Sequence, residues 1–185
     1  WLARNYRNVI VHNVELSNTY DTFISSIFDL EKNNLACSNT KSRLRMILLY
    51  HYATSLNGLV IGTGNKIEDY GIGFFTKYGD GGVDISPIAD LLKTEVFALA
   101  EYLGVAHSIL TAAPTDGLFA DGRSDEDQIG ATYAELEWAM NVDEGQSIKL
   151  TERQATVLAI YKRMNAANKH KMLPIPVCVI PEGLK

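Results

Sequence analysis

The sequence predicts an α/β fold, in which short apolar strands of a parallel sheet alternate with helices. Three observations predict it. Asn8 to Leu16 opens with the β-branched run Val9-Ile10-Val11, the composition of a core strand buried on both faces of a parallel sheet. Ser42 to Leu56 reads as a helix and is closed by Asn57-Gly58. Leu59-Val60-Ile61 is a second apolar run that stops abruptly at Gly62-Thr63-Gly64-Asn65-Lys66, which completes the order helix, strand, loop.

The other elements follow along the chain. Asp21 to Lys32 carries Phe23, Ile24, Ile27, Phe28 and Leu30 at helical spacing, and Asn33-Asn34 ends it. Beyond a glycine-rich passage, Thr94 reads as an N-cap, Glu95 supports the first turn, and Val96, Leu99, Ala100 and Leu103 form a stripe before Gly104. Ala112 to Ser124 sets Pro114, Thr115, Asp116, Gly117, Asp121 and Gly122 around Leu118 and Phe119, a composition suited to a lid-like loop with two apolar anchors. Thr132 to Met140 and Thr151 to Asn168 read as helices separated by the polar linker Asn141 to Ser147. Leu173-Pro174-Ile175-Pro176-Val177 must be extended, because proline excludes helix there.

With 185 residues and 46% hydrophobic composition, the chain is expected to form one domain, residues 1–185. A formal net charge of -5 with 21% charged residues argues against a disordered tail and a basic nucleic-acid binder, so an anionic ligand has to be met by local charge. Cys37 and Cys178 stand alone, which fits neither zinc nor a disulfide framework and suits a reducing, cytoplasmic setting. No apolar run approaches the roughly 18 residues of a membrane span. The sequence opens at Trp1, without Met, within what reads as a helix, and is expected to be an N-terminally truncated piece.

The candidate chemistry gathers around two loops. Gly62 and Gly64 stand after a strand, where glycines let backbone N–H groups approach phosphate oxygens, although an ordinary tight turn would need the same residues. Thr63 adds a hydroxyl, Lys66 a cation and Glu68 a carboxylate that either holds magnesium beside phosphate or merely starts a helix. The run Phe74-Phe75-Thr76-Lys77-Tyr78-Gly79-Asp80-Gly81-Gly82-Val83-Asp84 lacks the alternating acids of an EF-hand and suits an oxygen-rich ligand better than a plain hairpin turn. Arg43, Arg45, Lys66, Lys77, Lys93, Lys169, His170 and Lys171 recur near these loops; singly each reads as a surface charge, and together they would focus a positive field on a polyphosphate. No GxSxG elbow or activated cysteine offers a covalent nucleophile.

The strings GTGNK at Gly62, FFTKYGDGGVD at Phe74, SPIADLLKTEV at Ser86, AAPTDGL at Ala112, SDEDQIG at Ser124 and NKHKMLPIP at Asn168, with KSRLRM at Lys41 before them, closely resemble the ammonia-dependent NAD synthetases. The likeness runs from about Asn34 to Pro176 in the family's order, and FTKYGDGG is among its most specific strings. The resemblance implies a Rossmann-like parallel sheet with helices on both faces, of the N-type ATP pyrophosphatase group, working as a homodimer. It implies that ATP adenylylates the nicotinate carboxylate of deamido-NAD and that ammonia then displaces AMP, with Mg2+ as cofactor. It implies further that Arg43, Lys77, Asp84, His170 and Lys171 meet deamido-NAD, that Thr63, Lys93 and Thr115 meet ATP, and that Glu68 is the magnesium carboxylate. Lys93 and Glu68 are thus the pair expected to serve the chemical step, and the loop Thr115 to Asp125 is expected to order over bound ligand. For Arg45, Lys66 and Asp80 the functional and structural readings stay open.

Two departures stand out. The family's SGGxDS phosphate loop is not among these residues, so the 185 residues alone are expected to be inactive. The segment between Glu68 and Thr76 is one residue longer than in commoner members, which loosens the placement of Glu68 relative to Lys77. Three alternatives share the same residues: amidation of nicotinate mononucleotide instead, a non-catalytic nucleotide-binding or dimer-scaffold module, and a parent protein with an added glutaminase domain.

Overall fold

The computed structural model describes residues 1–27, 33–119, 121–142 and 149–185. Eight α-helices occur among them: α1 Leu2–Asn5, α2 Ser17–Ser25, α3 Asn34–Leu56, α4 Lys93–Tyr102, α5 His107–Leu110, α6 Asp125–Ile129, α7 Tyr133–Met140 and α8 Glu152–Met172. A π-helical turn spans Ile67–Ile72, and a 3-10 turn, Glu182–Leu184, lies near the end. The expected linker Asn141 to Ser147 falls mostly on residues 143–148, outside the described set, as do residues 28–32 of the expected helix Asp21 to Lys32, whose described part is α2.

Helix ends follow local chemistry. Asn33 accepts the Ala36 N–H to start α3, and Asn57, at φ 53°, closes it in the left-handed region that asparagine tolerates. Thr132 and Thr151 cap α7 and α8 by accepting from the N–H groups of Glu135 and Gln154. The expected cap at Thr94 is displaced: α4 begins at Lys93, Thr94 lies inside the first turn, and its N–H and hydroxyl are taken by Glu137 from α7.

The expected sheet is reduced, among the described residues, to one parallel bridge, Ile61 with Ile85, in which Gly62 N–H donates to the Ile85 carbonyl at 2.7 Å. Asn8 to Leu16, expected to be a core strand, forms no β-bridge, and Ile10 is 80% exposed. A β-branched run is buried only where neighbours cover both of its faces, and here the described residues cover it only in part, with Val9 half-buried and His12 against the Tyr52 ring.

The core forms where the π turn is enclosed by α7 and α8, around Ile67, Ile72, Ile129, Leu136 and Val157. One face of α8 also caps the turn's carbonyls: Asn165 donates to Gly71 at 2.7 Å, Asn168 to Ile72 at 2.8 Å, and Lys171 to Gly73 and Phe75 at 2.6 Å each. The π turn lies in the segment between Glu68 and Thr76 that is expected to be one residue longer, and its hydrogen-bonded ring takes in one residue more than an α turn.

Candidate functional site

Glu68 leaves the first turn of the π helix and Lys93 begins α4, and they meet at 2.9 Å with side chains only 15% and 19% exposed. Asn65, itself buried, sets the start of the π turn by accepting from the N–H groups of Ile67 and Glu68 at 3.1 Å. The Tyr133 hydroxyl donates to the same Glu68 oxygen, Oε1, at 2.6 Å, and the Lys93 ammonium lies 4.8 Å from the centre of the Tyr133 ring. Burial and the Glu68 charge push the Tyr133 phenol far above its ordinary range, so it is a fixed donor. Among the described residues Glu68 Oε2 has no hydrogen-bond or ion-pair partner.

Asp125 lies 3.3 Å from the Tyr133 hydroxyl, and its carboxyl is raised by burial and by the charges of Asp116 and Glu68. Asp69 packs against Gly64, where a Cβ would collide with its carboxylate, and burial, with Glu68 and Asp80 nearby, raises it to about 6. Among the described residues no group of three or more acids, histidines or cysteines could cage a metal. One open carboxylate oxygen does fit magnesium, which binds through one or two carboxylates and fills its shell with phosphate and water oxygens.

The glycine-rich segment is pinned to α3. The Thr76 N–H and the Ser42 hydroxyl both donate to Asp80 Oδ1, at 3.0 and 2.7 Å, and Asp80 N–H returns a bond to Ser42 Oγ at 3.0 Å. Asp80 therefore folds the loop. Arg43 Nε donates to the Lys77 carbonyl at 3.3 Å and Lys77 Nζ to the His170 carbonyl at 2.7 Å, which brings Arg43, Lys77, His170 and Lys171 onto one side of the loop. Asp84 accepts from Tyr50 at 3.1 Å and from Val60 N–H at 2.7 Å, so both of its oxygens hold scaffold. Lys66 pairs with the exposed Asp90. Arg45 donates to the Asp116 carbonyl at 3.2 Å and Lys41 to Leu118 at 3.0 Å, which ties the expected lid to α3; residue 120 of that loop lies outside the described set. Thr115 Oγ1 donates to the Arg123 carbonyl at 3.2 Å, and Thr63 is exposed.

This geometry coincides with a match along nearly the whole chain, because the family model described as NAD synthase covers residues 3–174. The chain belongs to the NAD synthase family. The curated NH(3)-dependent NAD(+) synthetase of Carboxydothermus hydrogenoformans is 41% identical over 173 residues, 92% of this chain and 67% of that protein. That of Archaeoglobus fulgidus is 44% identical over 145 residues, 78% of this chain and 57% of that protein. Among solved structures, the NMN synthetase of Francisella tularensis superposes with a TM-score of 0.77 at 34% identity, covering 92% of this chain and 66% of that one. The NH3-dependent NAD synthetase of Campylobacter jejuni, solved with nitrate, gives 0.68 at 26% identity, over 90% of this chain and 64% of that one. The chain thus spans roughly two-thirds or less of the length of these NAD synthase relatives.

Sequence reasoning singled out Glu68 and Lys93, which the fold brings together, but not their partners Asn65, Tyr133 and Glu137. An asparagine before a helix start is a legible capping signal. Tyr133 and Glu137 act 65 and 43 residues away from themselves in sequence, and nothing local announces that.

Proposed function

We propose that this chain supplies most of an ammonia-dependent NAD synthetase site, of the Rossmann-like ATP pyrophosphatase type, that converts deamido-NAD to NAD with ATP. The observation that carries the reading is the Glu68, Lys93 and Tyr133 cluster in a member of the NAD synthase family: a carboxylate held twice on one oxygen and open on the other. In the first step the nicotinate carboxylate attacks the α-phosphorus of ATP, and the breaking P–O bond leaves its electron pair on pyrophosphate. In the second, ammonia attacks the acyl carbon, the C–O bond to AMP breaks, and nitrogen gives up a proton. Neither step requires a protein nucleophile.

The residues divide between the two substrates. Lys93 places its ammonium beside the leaving phosphates, with the Thr63 and Thr115 hydroxyls as further ATP contacts. Glu68 Oε2 would hold magnesium, which, when bound, neutralises phosphate charge. Arg43, Lys77, His170 and Lys171 face deamido-NAD, while Asp84 orders the strand end beneath it. The homodimer and the cytoplasmic setting belong to the same proposal. The 185 residues alone are expected to release no AMP.

The test measures AMP release and amide formation by the full-length protein. Lys93→Ala and Glu68→Gln are each expected to lower turnover at least about 100-fold. Wild-type turnover in either variant refutes the assignment, and nucleotide binding without turnover in the wild type would favour a scaffold. The likeness to an NMN synthetase supports a second reading, with nicotinate mononucleotide as substrate. Comparing kcat/KM for the two acids decides between them.

A further inference from the structure

Glu68 and Lys93 lie 25 residues apart on two separate elements, the π turn and α4. Long acidic and basic side chains lose rotamer freedom when held, so their shared geometry needs an external brace. Helix α7 touches both. Tyr133 gives its hydroxyl proton to Glu68 Oε1 at 2.6 Å. One turn later on the same helix face, Glu137, 8% exposed, accepts the Thr94 N–H at 3.0 Å and the Thr94 hydroxyl at 2.7 Å. Thr94 directly follows Lys93, so Glu137 fixes the end of α4 from which Lys93 projects. An acidic group there also complements the positive end of that helix.

We infer that α7 is the positioning element of the site: Tyr133 aims the Glu68 carboxylate, and Glu137 seats the helix start that carries Lys93. Both are positioning residues. Hydrogen bonding through Oε1 turns Oε2 outward, and α4 cannot slide along the π turn while Glu137 grips two of its polar groups. The core side chains Leu136 and Ala139 of the same helix anchor the brace, so the spacing of the pair is referenced to the buried core cluster.

This inference rests on the reading of Glu68 and Lys93 given above. The full-length protein is made as Tyr133→Phe, which keeps the ring over Lys93 and removes only the hydroxyl, and as Glu137→Gln, which keeps one acceptor. Glu68→Gln reports on the reading itself, and Glu135→Gln, on the same helix but turned to Arg153, reports on the helix alone. Mn2+ binding in the presence of a non-hydrolysable ATP analogue is measured directly, alongside melting temperature and the separate kcat and KM values for ATP and deamido-NAD.

Loss of a partner that orients a ligating group weakens metal binding by about 10-fold or more. Tyr133→Phe is expected to show that loss with the deamido-NAD KM unmoved, Glu137→Gln to lower kcat and raise the ATP KM, and Glu135→Gln, which loosens the Arg153 pair, to melt slightly lower while Mn2+ affinity, kcat and KM stay at wild type. A merely structural role would move the melting temperature and every kinetic constant together. Wild-type Mn2+ affinity in Tyr133→Phe alongside weakened affinity in Glu68→Gln overturns the positioning role alone. Wild-type affinity in Glu68→Gln overturns the reading of the pair and the inference with it. If Tyr133→Phe does not fold, Glu137→Gln decides, and unchanged ATP kinetics there overturn the inference.

Discussion

Gly79→Ala is a one-carbon perturbation whose cost is set by the way the glycine-rich loop leans on α3. Gly79 has no left-handed backbone requirement, so the effect is one of space. The added Cβ would overlap Ser42 Oγ and would stand 2.9 Å from Thr76 Cβ and Cγ2. Overpacking a tight contact costs about 1–3 kcal/mol. Displacing Ser42 Oγ also breaks its two bonds with Asp80, each worth about 1 kcal/mol. The expected destabilisation is therefore about 3–5 kcal/mol. Ser42→Ala should cost about 1–2 kcal/mol, because Asp80 Oδ1 keeps the Thr76 N–H. In that background the alanine at position 79 meets only Thr76, so the double mutant should be more stable than the sum of the singles by about 1–2 kcal/mol. Urea unfolding of the full-length protein at constant m-value measures all four corners of the cycle. A Gly79→Ala cost below about 0.5 kcal/mol, or additivity within the same margin, refutes the reasoning.

Further outcomes follow from the same geometry. Leu136→Ala, which empties a fully buried position, should lower stability by about 2–5 kcal/mol in urea titration and leave the deamido-NAD KM alone. Lys171→Met keeps the stem and removes the donor to the Gly73 and Phe75 carbonyls, so a loss of about 1–3 kcal/mol on thermal unfolding is expected; an unchanged melting temperature would leave Lys171 a substrate contact only. Arg153 holds the Glu135 carboxyl down at about 2, below its ordinary 4.5. Between those pH values the unfolded chain binds more protons than the folded one, so the pair's stabilisation is present above about 4.5 and fades as pH falls through 2. The pair is largely exposed, which limits it to at most about 1 kcal/mol at neutral pH. Arg153→Ala should therefore melt lower than wild type at pH 7 and together with it near pH 2, as followed by circular dichroism.

What could be read in advance was local. The helix starts at Thr132 and Thr151, the close of α3 at Asn57-Gly58 and the proline-enforced extension after Leu173 each depend on neighbours a few residues away, and each was legible, although the threonine caps themselves were not singled out. Glu68 and Lys93 were legible as chemistry, but their distance was not. Asp84 reads as a ligand group and Asp80 stays open, because a carboxylate's partners are unknown in a sequence; the structure gives the two of them Ser42, Thr76, Tyr50 and Val60 as scaffold partners. Val9, Ile10 and Val11 misled for the opposite reason, since composition reports what a segment would bury and not whether a neighbour is there to bury it.

The π turn at Ile67–Ile72 has a consequence for how this chain tolerates change. A π ring holds one residue more than an α ring, so segment length there is a slack variable: Asn65 on one side and the loop from Phe74 on the other can keep their stations. Asp69 or Tyr70 could then be deleted, relaxing the ring to an ordinary α turn, at far less expense than a deletion anywhere in α7, where no such slack exists.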